Sequence, residues 1–420
     1  MAHNVLILGS GGREHTLAWK LSQSPHCDNL YVAPGNAGTE SVAINLDIQV
    51  LDFEKIKESI DRLEIEYLII GPEAPLVAGI YDYFQDHQVK VIGPSQAASR
   101  LEGSKSFANA FMAEFNIPTG ASYDVTKKTL SSGLEHIDNI QGTIVLKADG
   151  LAAGKGVLIL DDKEEAKKEL QAMLSGKFGA SSKTVVIEEF LDGIEFSVFV
   201  ATDGQSYKLL PIAKDYKRIG VGDTGLNTGG MGAISPVPFV DEAMMDKVIS
   251  RIIEPTIKGL QSRNLDYKGF IFFGLINVKG DPYVIEYNCR LGDPETEVII
   301  PRISSDLMDI IEAFHSGHLS DVEVEFNPQT AATIMLVSKG YPEAYEKGKE
   351  ITLDQNLSDS LIFHAGTKNI DYNIISNGGR VIAITSFGDD HRQAVNQSLD
   401  NVSKVYFDGM TYRTDIGFDL

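Results

Sequence analysis

The chain has 420 residues, of which 43% are hydrophobic and 23% charged, as is typical of a folded protein with roughly two to four domains. Its formal net charge of −22 argues against binding to nucleic acid or to an anionic membrane. The two cysteines lie far apart and no apolar run approaches the roughly 18 residues of a membrane span, so we expect neither a disulfide framework nor a membrane helix. The expectation is a cytoplasmic protein that acts on small molecules.

Short apolar runs alternate with amphipathic stretches over about the first hundred residues. The predicted strands are Val5–Leu8, Leu30–Ala33, Tyr67–Ile70 and Val89–Ile92, and the predicted helices include Glu14–Ser22 and Phe53–Leu63. This alternation predicts βαβ units and a mostly parallel sheet. Ligands bind such sheets beyond the carboxyl ends of the strands, so the turns GSGGREH, PGNAGT and GPEAPL should share one edge.

The first of these turns, residues 9–15, follows a strand and opens a helix. Backbone N–H groups at such a helix start favour an anion, and Arg13 could add a charge-assisted contact. A dinucleotide site is a second interpretation, but the second strand ends in VAPGN with no acid to hold a ribose. A purely structural tight turn is the third.

The pattern changes after Gly103. A helix is predicted over Lys105–Phe115, then strands around a glycine-rich loop, a charged helix and a long loop. The later elements are a helix and two strands, then a small α+β region after about Asn327. The bounds after the first helix are Ile144–Lys147, Val157–Leu160, Asp161–Ser175, Val185–Glu189, Phe196–Ala201, the loop Asp215–Pro238, Gly269–Val278, Pro282–Tyr287, Ala331–Lys339, Ile382–Thr385 and Arg392–Val405.

The glycine-rich loop reads GLAAGKG over residues 150–156. It is not a P-loop, because the glycine spacing is one residue short and Gly156 stands where Ser or Thr should bind magnesium. A loop of this kind between two strands can close over a triphosphate, with its amides and Lys155 as donors. An ordinary glycine-rich hairpin is the alternative.

The stretch VIEYNCR over residues 284–290 is the most informative. Residues two apart in a strand share a face, which would align Glu286, Asn288 and Arg290. A carboxylate and an amide oxygen suit a hard cation such as magnesium, and Arg290 could hold a carboxylate or a phosphoryl group. The acids of the following GDPETE could meet an amine. The alternative is a solvated polar face on an edge strand.

Taken in order, these pieces resemble the ATP-grasp superfamily. Within it, several long motifs are similar to the phosphoribosylamine–glycine ligase, or glycinamide ribonucleotide synthetase, family over essentially the whole chain. The motifs are GSGGREHTLAWKLSQSP, PGNAGT, GPEAPLVAGI, LEGSKSFA, KADGLAAGKGV, IEEFLDGIE, NTGGMGA, NCRLGDPETE, FHAGT and NGGRV.

The resemblance implies a Rossmann-like substrate-binding domain over 1–103, an ATP-grasp domain over 104–326 with a lid at about 120–192, and a C-terminal α+β domain over 327–420. It implies that ATP, glycine and 5-phosphoribosylamine give glycinamide ribonucleotide, ADP and phosphate, with Mg²⁺ or Mn²⁺ as cofactor, in a monomer or weak homo-oligomer. Another ATP-grasp carboxylate–amine ligase is the nearest alternative. A dinucleotide-linked oxidoreductase and a nucleotide sensor are more distant.

The resemblance also implies roles for individual residues. Lys147 and Arg290 would be catalytic, and Glu286 and Asn288 would hold the metal. The ATP-binding set would be Lys105, Lys147, Gly154, Lys155, Gly156, Glu188, Glu189, Leu191, Glu195 and Asn288. The substrate-binding set would be Gly11, Gly12, Arg13, Glu14, Asn36, Gly38, Thr39, Pro72, Glu73, Asp215, Arg290, Gly292 and Asp293. Many ATP-grasp enzymes place a further metal-binding acid on the preceding strand, but residues 269–276 contain none, which leaves the source of a second metal ligand open.

Overall fold

A parallel sheet forms the first part of the chain, as the alternating apolar runs predict. The computed structural model describes residues 2–152, 156–354 and 359–420. The elements of the first part are β1 (His3–Gly9), α1 (Gly12–Leu21), β2 (Cys27–Pro34), β3 (Ile44–Asn45), α2 (Phe53–Leu63), β4 (Tyr67–Ile70), α3 (Glu73–Val77), α4 (Ile80–Tyr83), β5 (Lys90–Pro94) and α5 (Gln96–Gly103). The strands lie in the order β5-β4-β1-β2-β3, and the predicted apolar runs are buried within them.

A four-stranded antiparallel sheet follows, with its own apolar core. Its region contains α6 (Lys105–Glu114), β6 (Ser122–Thr126), α7 (Leu130–Asn139), β7 (Ile144–Ala148), β8 (Val157–Leu160), α8 (Lys163–Ala172) and β9 (Thr184–Glu189). The strand order is β6-β9-β7-β8. Asp162 is the N-cap of α8, and its carboxylate accepts from the Glu165 amide at 2.7 Å. The helix continues into a π-helical turn over Met173–Lys177.

The third region extends the first sheet. It contains β10 (Ile194–Thr202), β11 (Tyr207–Leu209), β12 (Lys214–Asp215), β13 (Arg218–Gly220), β14 (Thr224–Asn227), β15 (Gly232–Ser235), α9 (Glu242–Val248), α10 (Glu254–Ser262), β16 (Tyr267–Val278), β17 (Asp281–Asn288), α11 (Thr296–Arg302) and α12 (Leu307–Ser316). Strand β16 pairs with β5, β10 and β17, so the parallel sheet runs without a break into antiparallel strands.

The prediction of a long loop over residues 215–238 is wrong. The structure forms four short strands, β12 to β15, within residues 214–235. These strands have two to four residues, too few to show a periodic apolar pattern. Strand β15 is held by pairing with a strand of the C-terminal region, which no local signal could reveal.

The C-terminal region contains β18 (Thr330–Ser338), β19 (Thr352–Leu353), β20 (Leu361–His364), β21 (Thr367–Ile370), β22 (Asn373–Ser376), β23 (Arg380–Gly388), α13 (His391–Val402), β24 (Val405–Tyr406) and β25 (Met410–Thr411). Its main sheet has the order β12-β15-β18-β23-β20, with α13 packed on β18 and β23. This is the expected small α+β region, but it shares its sheet with β12 and β15. Among the described helices, none combines the length and the apolar character needed to cross a membrane.

Candidate active site

The three turns that follow β1, β2 and β4 meet at one edge of the parallel sheet, as expected. The Gly35 amide donates to the Gly9 carbonyl at 3.0 Å, and the Gly71 amide donates to the Leu8 carbonyl at 3.0 Å. The Glu14 side chain lies between the turns and accepts a 2.6 Å bond from the Gly11 amide. A side chain at position 71 would place its Cβ 2.0 Å from Glu14 Oε1, so close approach requires glycine there.

Arg13 lies within this edge rather than on its open surface. Its Nε donates to Glu14 Oε1 at 2.6 Å, and its Nη1 donates to the Leu291 carbonyl at 3.0 Å. Burial opposes its charge, but the carboxylates of Glu14 and Asp293 outweigh burial and raise the pKa of Arg13. The guanidinium therefore joins the first turn to the segment after β17. A phosphate bound at this turn would share the guanidinium with Glu14 and the Leu291 carbonyl.

The second turn is stabilised by the Asn36 side chain. Its Oδ1 accepts from the Gly38 amide at 2.8 Å and from the Thr39 amide at 3.1 Å. Its Nδ2 donates to the His364 carbonyl at 2.8 Å, and the His364 amide donates to His15 Nδ1 at 2.8 Å. These bonds attach the C-terminal region to the turn.

The third turn carries Pro72 and Glu73 and faces Arg290. The Arg290 guanidinium lies 3.7 Å from Glu73 Oε2 and pairs with Glu102 Oε1 at 2.8 Å. The other Glu102 oxygen accepts from the Cys289 amide at 2.7 Å. Strand β17 ends at Asn288, so Arg290 lies beyond the strand whose alternation was expected to align it with Glu286.

Glu102 was not among the predicted site residues. It lies at the end of α5, within the LEGSKSFA motif. The only sequence signal for it was its position in a motif that resembles the family.

The region between the three turns and strands β7, β9 and β17 is called the cleft below. On its β7 side, Lys147 and Glu188 form a buried ion pair. The Lys147 Nζ lies 2.5 Å from Glu188 Oε2, and the two side chains are 7% and 11% exposed. The same ammonium donates to the Ile285 carbonyl at 3.2 Å, while Glu188 Oε1 accepts from Asn109 at 3.1 Å. Strands β7, β9 and β17 are thus linked through one lysine.

Glu286 faces three lysines across this cleft. Burial raises the pKa of its carboxyl, but Lys217, Lys147 and Lys105 outweigh burial and lower it. Burial lowers the pKa of Lys105, with Glu286 opposing that shift most strongly. The cleft therefore combines an ionised carboxylate with three cationic side chains, as a site for a metal and a polyphosphate requires.

The residues expected to hold a metal fit that role chemically. Within the described part of the chain, no hydrogen bond engages the Glu286 carboxylate, and the buried Asn288 Nδ2 has no hydrogen-bond partner. Gly274 stands opposite Glu286 on β16, and a Cβ there would lie 2.9 Å from Glu286 Cγ. The neighbouring strand thus offers space instead of the second acid.

Lys217 is a cleft residue that sequence reasoning missed. Its Nζ lies 2.5 Å from Glu195 Oε2 and 3.9 Å from Asp215 Oδ1. Lys217 is the largest cause of the lowered pKa of Glu195. Because the segment was expected to be a loop, the spacing of Asp215 and Lys217 at its start did not indicate that the two side chains share a face.

Leu191 follows β9 in the short connection to β10. Its Cγ lies 3.7 Å from where a Gly120 Cβ would be, and Glu189 exchanges hydrogen bonds with Ala121. Gly156 is buried, and its carbonyl accepts from the Ala148 amide at 2.8 Å. Gly154 and Lys155, expected in the lid loop, lie outside the described residues.

The segment after β17 brings Asp293 to the first turn. Its Oδ1 lies 2.9 Å from Arg380 Nη2, and its Oδ2 accepts from the Arg13 amide at 3.4 Å. Burial raises the pKa of Asp293, but Arg380 and Arg13 outweigh burial and lower it. Arg380, in the NGGRV motif, was not predicted, because only the folded chain brings it to Asp293.

The chain is similar to known proteins over its whole length. Three family descriptions match: Phosphoribosylglycinamide synthetase, N domain, over residues 3–102; its ATP-grasp (A) domain over 103–296; and its C domain over 331–419. A Phosphoribosylamine--glycine ligase of Vibrio parahaemolyticus is 44% identical over 420 residues, which is 99% of this chain and 97% of the relative. A protein of the same name from Neisseria meningitidis is 44% identical over 98% of both chains.

Solved structures agree. The crystal structure of a Phosphoribosylamine--glycine ligase from Thermotoga maritima has a TM-score of 0.86 and 37% identity, and covers 98% of this chain and 99% of that one. A biotin carboxylase domain of 2-oxoglutarate carboxylase from Hydrogenobacter thermophilus has a TM-score of 0.74 at 15% identity, covering 98% and 92% of the two chains. The second likeness concerns the fold alone.

Proposed function

The chain belongs to the phosphoribosylglycinamide synthetase family. On this basis we propose which parts of its cleft bind each substrate and the metal. The enzyme is an ATP-consuming ligase of purine biosynthesis that joins glycine to 5-phosphoribosylamine and releases ADP and phosphate. A carboxylate does not react with an amine at neutral pH. Transfer of a phosphoryl group from ATP gives glycyl phosphate, in which phosphate is the leaving group that the amine displaces.

We assign ATP to the side of the cleft that contains Lys105, Lys147 and Lys217. The observation that carries this proposal is that all three ammonium groups lower the pKa of one half-buried carboxylate, Glu286. Three cations in a protein of net charge −22 indicate a local site for a polyphosphate. Glu188, Glu189, Leu191 and Glu195 would hold the nucleoside, and Gly154, Lys155 and Gly156 would cover the phosphates.

Glu286 and Asn288 would hold a divalent metal, which we propose to be Mg²⁺, with Mn²⁺ as a substitute. When bound, the ion offsets negative charge on the phosphates. Lys147 supports the transferring phosphoryl group by charge, since its ammonium is buried and lies between β9 and β17. Arg290 would steer the acyl group, because it lies between the turn of Glu73 and the metal-binding strand.

The three-turn edge would bind phosphoribosylamine and glycine. The first turn presents Gly11, Gly12 and Arg13 at the start of α1, where backbone amides favour a phosphate. The remaining proposed contacts are Glu14, Asn36, Gly38, Thr39, Pro72, Glu73, Asp215, Gly292 and Asp293. In this arrangement phosphoribosylamine and glycine lie between the first turn and the three lysines, so that the proposed substrate side and the proposed ATP side of the cleft face each other.

We further propose that the functional units are residues 1–103, 104–326 and 327–420, with residues of about 120–192 as a lid. The separate core of the sheet formed by β6 to β9 supports the lid assignment. We also propose a cytoplasmic enzyme, monomeric or weakly associated, with no nucleic acid partner. Its net negative charge is the support for the last point.

The test is ADP release with glycine, other small carboxylic acids and phosphoribosylamine, each alone and in pairs. We expect full turnover only with glycine, phosphoribosylamine, ATP and Mg²⁺ together. Full turnover with a different acid would assign the site to another carboxylate–amine ligation. Omission of Mg²⁺, followed by its restoration or replacement with Mn²⁺, tests the metal assignment in the same assay.

A further inference from the structure

Glu295 is a buried acid of the cleft that the assignments above leave without a role. It is 3% exposed and lies at the N-cap position of α11. The charged groups that face it are Asp215 and Lys217 from the β12 segment, Arg290 after β17, and Glu297 and Arg380. It therefore lies between the proposed ATP side and the three-turn edge.

The cations near Glu295 are each committed to another acid. Lys217 pairs with Glu195 at 2.5 Å, Arg290 with Glu102 at 2.8 Å and Arg380 with Asp293 at 2.9 Å. In the described part of the chain, no lysine, arginine or histidine nitrogen lies within 4.0 Å of the Glu295 carboxylate. A buried carboxyl in this condition is stabilised by protonation or by a cation that arrives from outside.

Asp215 is the second acid of this corner. Burial, followed by the Asp215 carboxylate, raises the pKa of Glu295 to about 8. Burial also raises the pKa of Asp215, against the effect of Lys217 at 3.9 Å. Burial opposes ionisation of both acids, and Asp215 also opposes ionisation of Glu295, so one further positive charge near them would favour both carboxylates.

The backbone leaves room for the Glu295 side chain at Gly292. A Cβ at position 292 would lie 2.3 Å from Glu295 Oε2, so the carboxylate occupies the space of the missing side chain. Glu297 differs, because it is fully buried against Gly12, where a Cβ would lie 2.1 Å from Glu297 Oε1. The two acids of this segment thus lie against different turns, Glu295 against Gly292 and Glu297 against Gly12.

We propose that Glu295, together with Asp215, binds the ammonium group of the glycine substrate. This rests on the proposed function. It adds a specificity-determining residue to it, since the pair would select an acid that carries a positively charged amine close to its carboxylate.

The chemistry distinguishes the two amines of the reaction. The phosphoribosylamine nitrogen must be neutral to attack, whereas the glycine nitrogen is a cation at neutral pH and must not attack glycyl phosphate itself. Carboxylates beside an ammonium favour its charged form and so keep it without a free electron pair. The pair of acids therefore suits glycine, whose amine stays charged and unreactive while its carboxylate is activated.

The first test is the steady-state kinetics of Glu295→Gln. Losing the charge of one hydrogen-bond acceptor should raise KM for glycine about tenfold or more, with KM for ATP changed less than about twofold. Glu164→Gln, at a side chain that is 73% exposed, is the matched control and should behave as wild type. Gly292→Ala retains every charge but displaces the carboxylate, so it should raise the glycine KM in the same direction if Glu295→Gln does not fold.

The second test is proton release when glycine binds, measured by calorimetry with Mg²⁺ and a non-hydrolysable ATP analogue in buffers of different ionisation heat. At pH 7, a group with a pKa of about 8 carries about 0.9 proton, which an ammonium beside it would expel. We expect wild type to release most of that proton and Glu295→Gln to release almost none. If KM for glycine is unchanged in both Glu295→Gln and Gly292→Ala, or if wild type and Glu295→Gln release equal numbers of protons, the ammonium site is wrong. The proposed function survives that result as long as wild type still forms product. Failure of wild type to form product overturns the proposed function itself.

Discussion

Replacing Lys147 with methionine should remove activity and also destabilise the protein, and the two effects can be separated. Lys147 Nζ lies 2.5 Å from Glu188 Oε2, with the side chains 7% and 11% exposed. Removing one partner of a buried ion pair costs about 3–5 kcal/mol, because the other charge stays buried and uncompensated. We expect the free energy of unfolding of Lys147→Met to fall by about that amount.

The double variant Lys147→Met/Glu188→Gln should regain most of the lost stability. Its glutamine is neutral and can still accept the 3.1 Å bond from Asn109. Activity should not return. The ammonium proposed to contact the phosphates is still missing, and losing a charged hydrogen bond of about 1.5–3 kcal/mol weakens ATP binding roughly 10- to 150-fold.

The assays are urea unfolding and ADP release on wild type, both single variants and the double variant. Recovery of turnover in the double variant would refute the reasoning, since it would mean that Lys147 serves only to neutralise Glu188. A stable Lys147→Met single variant would refute the assigned cost of the buried charge.

Three further predictions follow from the cleft and from its link to the C-terminal region. Glu286→Gln should abolish turnover at any Mg²⁺ concentration in an ADP-release titration while the thermal midpoint changes little, because no described hydrogen bond depends on this carboxylate. Arg13→Ala should raise KM for phosphoribosylamine more than KM for ATP, and urea unfolding should show a loss of roughly 3 kcal/mol because Glu14 loses its 2.6 Å partner. Burial lowers the pKa of His15 to about 3 and of His364 to about 4, so both stay neutral in the fold while the unfolded chain binds protons below pH 6.5. The stability that this provides is present above pH 6.5 and is lost as pH falls, by about 2 kcal/mol per histidine at pH 5. Urea unfolding of His364→Gln at pH 7 and pH 5 should therefore show a smaller loss than wild type, and equal losses would contradict the assignment.

The sequence predicted those parts of the fold that depend on local patterns. The buried runs that became β1, β2 and β4 are each apolar enough to be recognised alone, and their order places the three turns at one edge. The predicted strand Ile144–Lys147 became β7, at whose end Lys147 is buried. These predictions needed no contact between distant residues.

The rest of the cleft depends on long-range pairing. Strand β15 is too short to be recognised and forms because β18, about 100 residues later, offers a partner. Lys217 gained significance only when its segment folded against Glu195 on β10. Nothing in the local sequence around Arg380 indicated that it would reach Asp293.

The pairing of charges in the cleft explains how a strongly acidic protein can keep anion-binding groups ready. Lysines and arginines that would contact anionic substrates are held by acids in the absence of ligand: Lys147 by Glu188, Lys217 by Glu195, Arg290 by Glu102 and Arg380 by Asp293. Each pairing holds a cation in place, so a phosphate that binds replaces an acid as its partner and does not have to order a free side chain. Glu286 and Glu295 differ from these paired acids, because neither has a cationic nitrogen within 4.0 Å among the described residues. They lie where the two cations of the reaction would arrive, the metal and the ammonium of glycine. Binding either cation therefore supplies the charge that its acid lacks, whereas a neutral ligand would leave the acid uncompensated.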